Sequence, residues 1–286
     1  MHTRIPVLLL LLILVITACS GSEPVADGGD APPLTTEHLP APPEGMQWAL
    51  NDTLSDEFNG EYLDRDKWTP YHPYWDGREP SHFLVSNVSL GGGHALLKST
   101  PRVVSMDEVR DIKKDVWVNS ACIASNKPVA QYGYYETRMK ASKLSMTSSF
   151  WLQGVYSEID VVEQLGASKV NPHKNSWMQM NTHYYVGGWD NDVATPAHWQ
   201  MPSGSADEFH TYGVWWKDER TVWFYHNNEK VAELTPAGLF EEPMYIFFDT
   251  EVFRWEGMPS LTNLNDDTRN TMQVDWVRSW TLAPAS

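Results

Sequence analysis

The chain of 286 residues has only 2 cysteines, Cys19 and Cys122. With Cys19 otherwise engaged, as proposed below, no disulfide framework can form. No Cys or acid pattern surrounds His173 and His183, so no zinc site, no metal and no cofactor is expected. Basic residues are scarce too: 21 Lys and Arg face 37 Asp and Glu, a formal charge of −16. That balance argues against nucleic acid or an anionic membrane surface as partner, since both recruit Lys and Arg. Long apolar runs are missing except for Val7 to Ile16, which is too short to span a bilayer as a mature helix. No stretch keeps helical periodicity between two caps, and no internal repeat is visible. A G-x-S-x-G elbow and a phosphate-binding loop are also lacking, which leaves esterase and kinase chemistry without support.

Tryptophan, by contrast, is abundant, with 14 copies beside 12 Tyr and 9 Phe. So many large flat side chains exceed what one core needs and suggest a ligand with flat apolar faces, with packing as the competing use.

The apolar run follows Arg4 and ends in Ile16-Thr17-Ala18-Cys19. This resembles the lipobox of bacterial lipoproteins, whose cysteine is lipidated after cleavage; a plain secretory signal is the alternative. Residues 1–18 are therefore expected to be a signal peptide, and residues 19–45, rich in Pro, Gly and acids, an extended solvated linker. Removing Arg4 takes the formal charge from −16 to −17. The expected location is the bacterial cell envelope, facing periplasm or exterior, with membrane contact through the lipid at Cys19 alone. Residues 46–286 read as one domain, expected to be monomeric.

Within that domain short β-runs alternate with turns. NVSLGGGHALLKS reads as two strands around Gly91–Gly93, and TVWFYHNNEKVAEL as a hairpin turning at Asn227-Asn228. YGYYETRMKAS, SFWLQGV, SEIDVVEQ, FHTYGVWWK, MYIFFDT and MQVDWVRSW are further strands, rich in aromatic and β-branched residues. Many short strands with Gly- and Pro-marked turns predict an all-β sandwich or barrel. Cys122, within SACIAS, reads as a small buried residue.

The segment Ser157-Glu158-Ile159-Asp160-Val161-Val162-Glu163-Gln164 carries the chemistry. In a flat strand Glu158, Asp160 and Val162 face one way, while Ile159, Val161 and Glu163 face the other. Acids among β-branched neighbours are costly to bury without a purpose. A β-bulge near Val161-Val162 would bring Glu163 onto the face of Glu158 and Asp160. Two carboxyls about 5–5.5 Å apart suit glycosidic cleavage by double displacement, with a third acid separating their titrations. A solvated face on an edge strand is the competing reading.

EIDVVE resembles the bulged E-x-D-x-x-E signature of glycoside hydrolase family 16, a family of jelly-roll β-sandwiches with a concave substrate cleft. Its members include laminarinases, β-agarases, porphyranases and κ-carrageenases. SDEFNG, YGYYETRMKAS and VDWVRSW extend the resemblance over most of the mature domain. By position it implies Glu158 as nucleophile, Asp160 as its assistant and Glu163 as general acid/base. Glu163 is then expected to titrate high while Glu158 stays ionised. Many members hold a structural calcium, but no loop here assigns its ligands.

Further segments are similar to the red-algal galactanase branch. YWDGREPSHF resembles a cleft-lining loop, which nominates Trp75 and Arg78 for substrate binding. Trp151 stands one strand-length before the nucleophile. FDTEVFRWEG resembles the carboxy-terminal part of β-agarases and adds Glu251 and Arg254. His183, expected on the strand beside the acids, can meet the acid/base or a sugar hydroxyl. The resemblance thus implies a retaining endo-hydrolase of β-1,4 linkages in a red-algal galactan. Net charge favours neutral agarose, hence a β-agarase, over sulfated carrageenan, furcellaran or porphyran. A non-catalytic lectin and a transglycosylase on the same fold are the other readings.

Overall fold

The computed structural model describes residues 34–285. The signal peptide and Cys19 lie outside the described residues. The β-runs pair into two antiparallel sheets of eight strands, packed as a jelly-roll sandwich. One sheet runs, in spatial order, through Asp192–Ala194, Trp177–Tyr185, Ser157–Leu165, Thr147–Gln153, Tyr245–Asp249, Cys122–Ser125 and Trp68–Thr69. Ala197–Gln200 pairs with the other end of Trp177–Tyr185. The second sheet runs through Glu229–Leu234, Thr221–His226, His210–Asp218, Gly133–Lys140, Thr271–Pro284, His94–Lys98 and Val88–Gly91, with Met46–Leu50 along the far end of Thr271–Pro284. A small third sheet of Ser81–Phe83, Val118–Ser120 and Thr100–Pro101, not foreseen from sequence, buttresses one end. The expected hairpins are present. Asn227 and Asn228 both have positive φ, 46° and 70°, as a tight two-residue turn requires.

Alternation along the strands sorts the side chains. Ile159, Val161, Phe150, Phe248, Val214, Trp216 and Phe224 meet between the sheets and are fully buried. The outer face of the second sheet carries another cluster, with Trp48, Tyr134, Trp215, Tyr225 and Trp280 packed on Leu39. Here the solvated linker expected up to residue 45 needs correction. Leu39 is buried, His38 Nε2 lies 2.8 Å from the buried Glu136 carboxylate, and Trp48 Nε1 donates to the Pro40 carbonyl at 2.7 Å. These few residues find apolar and polar partners on the sheet, so the chain docks before its composition shifts.

Among the described residues the one α-helix is Leu261–Leu264, and no helix is long and apolar enough to cross a membrane. Cys122 is a buried free thiol, and burial pushes its pKa up.

Candidate active site

The acid strand Ser157–Leu165 contains the expected bulge. Phe150 stands opposite Val162 and Trp151 opposite Asp160, so Val161 is the extra residue. Ile159, Val161 and Val162 all enter the core, while Glu158, Asp160 and Glu163 line one cleft of about 530 Å³ on the concave face. Apolar burial holds the register: flattening the strand would expose valine and bury a carboxylate.

The three acids have unlike surroundings. Glu158 accepts the Tyr185 hydroxyl at 2.7 Å and the Gln153 amide. Asp160 Oδ2 lies 3.1 Å from His183 Nε2. No protein donor reaches the Glu163 carboxyl among the described residues. Burial, then the charge on Asp160, raises Glu158 to about 8, against the pull of His183, Tyr185 and Gln153. Glu163 is also pushed well above the usual carboxylate range, by burial and then by Asp160, Glu158 and Glu251. The rise at Glu163 matches the expectation that it titrates high. The rise at Glu158 does not: in the empty cleft it shares the burial and like-charge penalty. His183 is raised to about 10, because its bonds and charge contacts with Asp160, then Glu158 and Asp192, exceed the cost of burial.

Trp75, Arg78, Trp151 and Glu251 line the same cleft. Arg78 Nε donates to Glu251 at 2.9 Å, and its guanidinium lies over the rings of Trp75, Phe253 and Trp255. Trp151 is largely buried, stacked on Phe247 at 4.5 Å, so packing takes most of its surface. Arg254 is a correction. It is exposed, does not line the cleft, and donates to the Lys113 carbonyl at 3.2 Å. In the tight turn Arg254–Glu256 its neighbours Phe253 and Trp255 face Arg78 instead.

Alternation could have supplied several missed residues. Gln153 follows from Trp151, Tyr185 from His183, and Asp249 from Glu251, each two positions away. His72, Tyr74 and Trp189 come from loops, where no periodicity operates. His72 stacks on Phe247 at 4.4 Å, and burial lowers its pKa to about 3. Tyr74 and Trp189 approach to 6.4 Å between ring centroids above the cleft. Beyond Glu163 a second hollow of about 370 Å³ is lined by Trp177, His198, Trp255 and Lys174. Ligand atoms of Glu158, Asp160 and His183 lie within 4.8 Å of one another. Carboxylates at both ring nitrogens of His183 favour its protonated form, which offers no lone pair to a metal.

A jelly-roll sandwich whose cleft unites these acids, an arginine and aromatic walls has the form of a carbohydrate-cleaving hydrolase. The chain belongs to glycoside hydrolase family 16: residues 48–282 match the family model described as beta-porphyranase A-D, GH16 domain. It is 36% identical over 263 residues to beta-porphyranase E of Zobellia galactanivorans, covering 85% of this chain and 91% of the relative. It is 37% identical over 297 residues to beta-porphyranase B of Phocaeicola plebeius, covering 88% and 91%. The crystal structure of the beta-porphyranase BpGH16B from the human gut bacterium Bacteroides plebeius superimposes with a TM-score of 0.77 at 34% identity, covering 87% of this chain and 96% of that one.

Proposed function

We propose that the protein is a retaining endo-hydrolase of porphyran, a sulfated red-algal galactan, and not the agarase that net charge favours. The observation that carries this is its similarity, over most of both chains, to relatives named porphyranases. Charge does not oppose it, because salt screens the domain's overall repulsion beyond about 8 Å. Locally Arg78 supplies a cation in the cleft; Glu251 takes its Nε, leaving both Nη groups to fork toward a sulfate ester.

In the reaction we assign, Glu158 carboxylate attacks the anomeric carbon as Glu163 gives its proton to the leaving glycosidic oxygen. The C–O bond breaks and a glycosyl-enzyme forms. Water then attacks the same carbon, passing its proton to Glu163 and releasing Glu158. Tyr185 and Gln153 favour the anion at Glu158, and the donor-free, acid-crowded setting of Glu163 favours its protonated form. Trp177 and Trp255 flank the hollow beyond Glu163 as stacking faces for the leaving chain. Incubating the protein with porphyran, agarose, κ-carrageenan and laminarin tests the substrate. Oligosaccharide release is expected from porphyran first; release from agarose alone would return the agarase reading.

We also propose lipid attachment at Cys19. Residues 38–40 dock on the outer face of the second sheet, the side opposite the cleft. Mass spectrometry of the amino-terminal peptide checks the attachment: acylated Cys19 is expected, and an unmodified, freely secreted chain would contradict it.

A further inference from the structure

His183 is the one histidine among the described residues set between the cleft acids and an acid outside the cleft. Its Nε2 faces Asp160 at 3.1 Å and Glu158 at 4.0 Å. Its Nδ1 faces both oxygens of Asp192, at 2.9 and 2.8 Å. Asp192 does not line the cleft. It opens the exposed edge strand Asp192–Ala194, paired to His183 through Ala194 and to Tyr185 through Asp192 itself. From the ring's own strand, Asn181 lies 2.8 Å from Nε2, and Tyr185 stacks at 6.2 Å between ring centroids. Glu163 completes the charged groups that feel the ring. The Asn181 oxygen accepts from the Thr182 amide at 3.0 Å, which leaves its Nδ2 toward Nε2, whereas the carboxylates offer only acceptors.

We propose that Asp192 is a positioning residue: by accepting the Nδ1–H of His183 it fixes the ring with Nε2–H toward Asp160, as the cation against which the catalytic acids are held. This rests on the reading of Glu158 and Glu163 as the catalytic pair. The chemistry favours it. An imidazole with one carboxylate neighbour shares its proton, but one placed between carboxylates on both nitrogens keeps two. The cleft contains five carboxyls, Glu158, Asp160, Glu163, Asp249 and Glu251, and Arg78 is already engaged by Glu251. A second fixed cation is what allows Glu158 to ionise near neutrality while Glu163 keeps its proton. The raised proton affinity of His183 follows from the same contacts. Substrate need not touch Asp192 for its loss to be felt, since its effect passes through the ring.

The test is NMR titration of the His183 imidazole in the full-length protein, together with the pH dependence of kcat/KM on porphyran oligosaccharides. In the wild type the ring stays protonated through neutral pH. Asp192→Asn lowers its titration by about one pH unit or more, and the acidic limb of kcat/KM, which reports ionisation of Glu158, moves up as the cation beside it weakens. Asp192→Glu restores both. A ring neutral at pH 7 in the wild type, or a titration unmoved in Asp192→Asn, overturns the proposal. So does a limb that stays put while the ring shifts. Failure of the underlying catalytic reading shows separately, as activity retained in Glu158→Gln.

Discussion

At the scale of single residues, the cleft separates two glutamates by what surrounds them. Tyr185 lowers the proton affinity of Glu158 by donating to it at 2.7 Å. Tyr185→Phe should therefore raise the acidic limb of kcat/KM, because Glu158 must then lose its proton without that donor. A hydrogen bond to a charged group is worth about 1.5–3 kcal/mol, so kcat/KM should fall roughly ten-fold or more. A pH–rate profile superimposable on the wild type would contradict the assignment. Glu158, Asp160, Glu163, Trp75 and Arg78 were legible in the sequence because a spaced motif or a marked loop announced them. Tyr185 and Asn181 were legible in principle, through alternation from His183. Arg254 misled because a short turn sends successive side chains in different directions, and sequence alone does not choose which one faces inward. Tyr74 and Trp189 meet only through the tertiary fold.

At the scale of elements, two devices set the acid strand. The bulge at Val161 is one. Deleting Val161 leaves Glu158-Ile159-Asp160-Val162-Glu163 in plain alternation, so the three acids should stay on the cleft face and the variant should keep measurable activity. A deletion variant that folds but is wholly inactive would show that the extra residue sets the spacing of the third acid as well as its face. The second device is Glu242, whose carboxylate accepts the Val155 and Tyr156 amides at 2.9 and 2.6 Å and the Ser157 hydroxyl at 2.8 Å. It clamps the turn that leads into Glu158. Gly154 leaves room for the clamp, because a Cβ there would press on the Glu242 carboxyl and push it off the turn. Glu242→Ala should lower kcat several-fold with little change in KM, measured well below the melting temperature; a change in KM alone would place Glu242 in binding. The strands, both hairpins and the bulge were readable from periodicity and turn residues. The clamp was not, since Glu242 reaches across 85 or more positions of sequence.

At the scale of the whole molecule, many short strands predicted a sandwich or barrel, and the family resemblance implied the jelly roll with its concave cleft. The third sheet and the docked segment around Leu39 were not legible, because both depend on surfaces that exist only once the two large sheets have formed. Stability against pH also belongs here. His226 Nε2 and His210 Nδ1 lie 3.1 Å apart in a buried pair, and burial, then the charge of His210, lowers His226 to about 4. A histidine that resists protonation when folded stabilises the protein above its unfolded pKa of about 6.5 and loses that contribution as pH falls toward 4. The cleft carboxyls act with the opposite sign, since raised acids hold protons more tightly in the folded state. Comparison with His226→Gln isolates the pair: the variant should lose less melting temperature than the wild type between pH 6.5 and 4. Parallel curves would remove the pair from the account.

The central claim is that Glu158 forms a covalent glycosyl-enzyme on porphyran with Glu163 as acid and then base. The most direct measurement is proton NMR of the anomeric signals in the first minutes of porphyran oligosaccharide cleavage. The account predicts that the β-anomer of the new reducing end appears first and that the α-anomer grows in only by mutarotation. An α-anomer formed first would mean inversion and would contradict it.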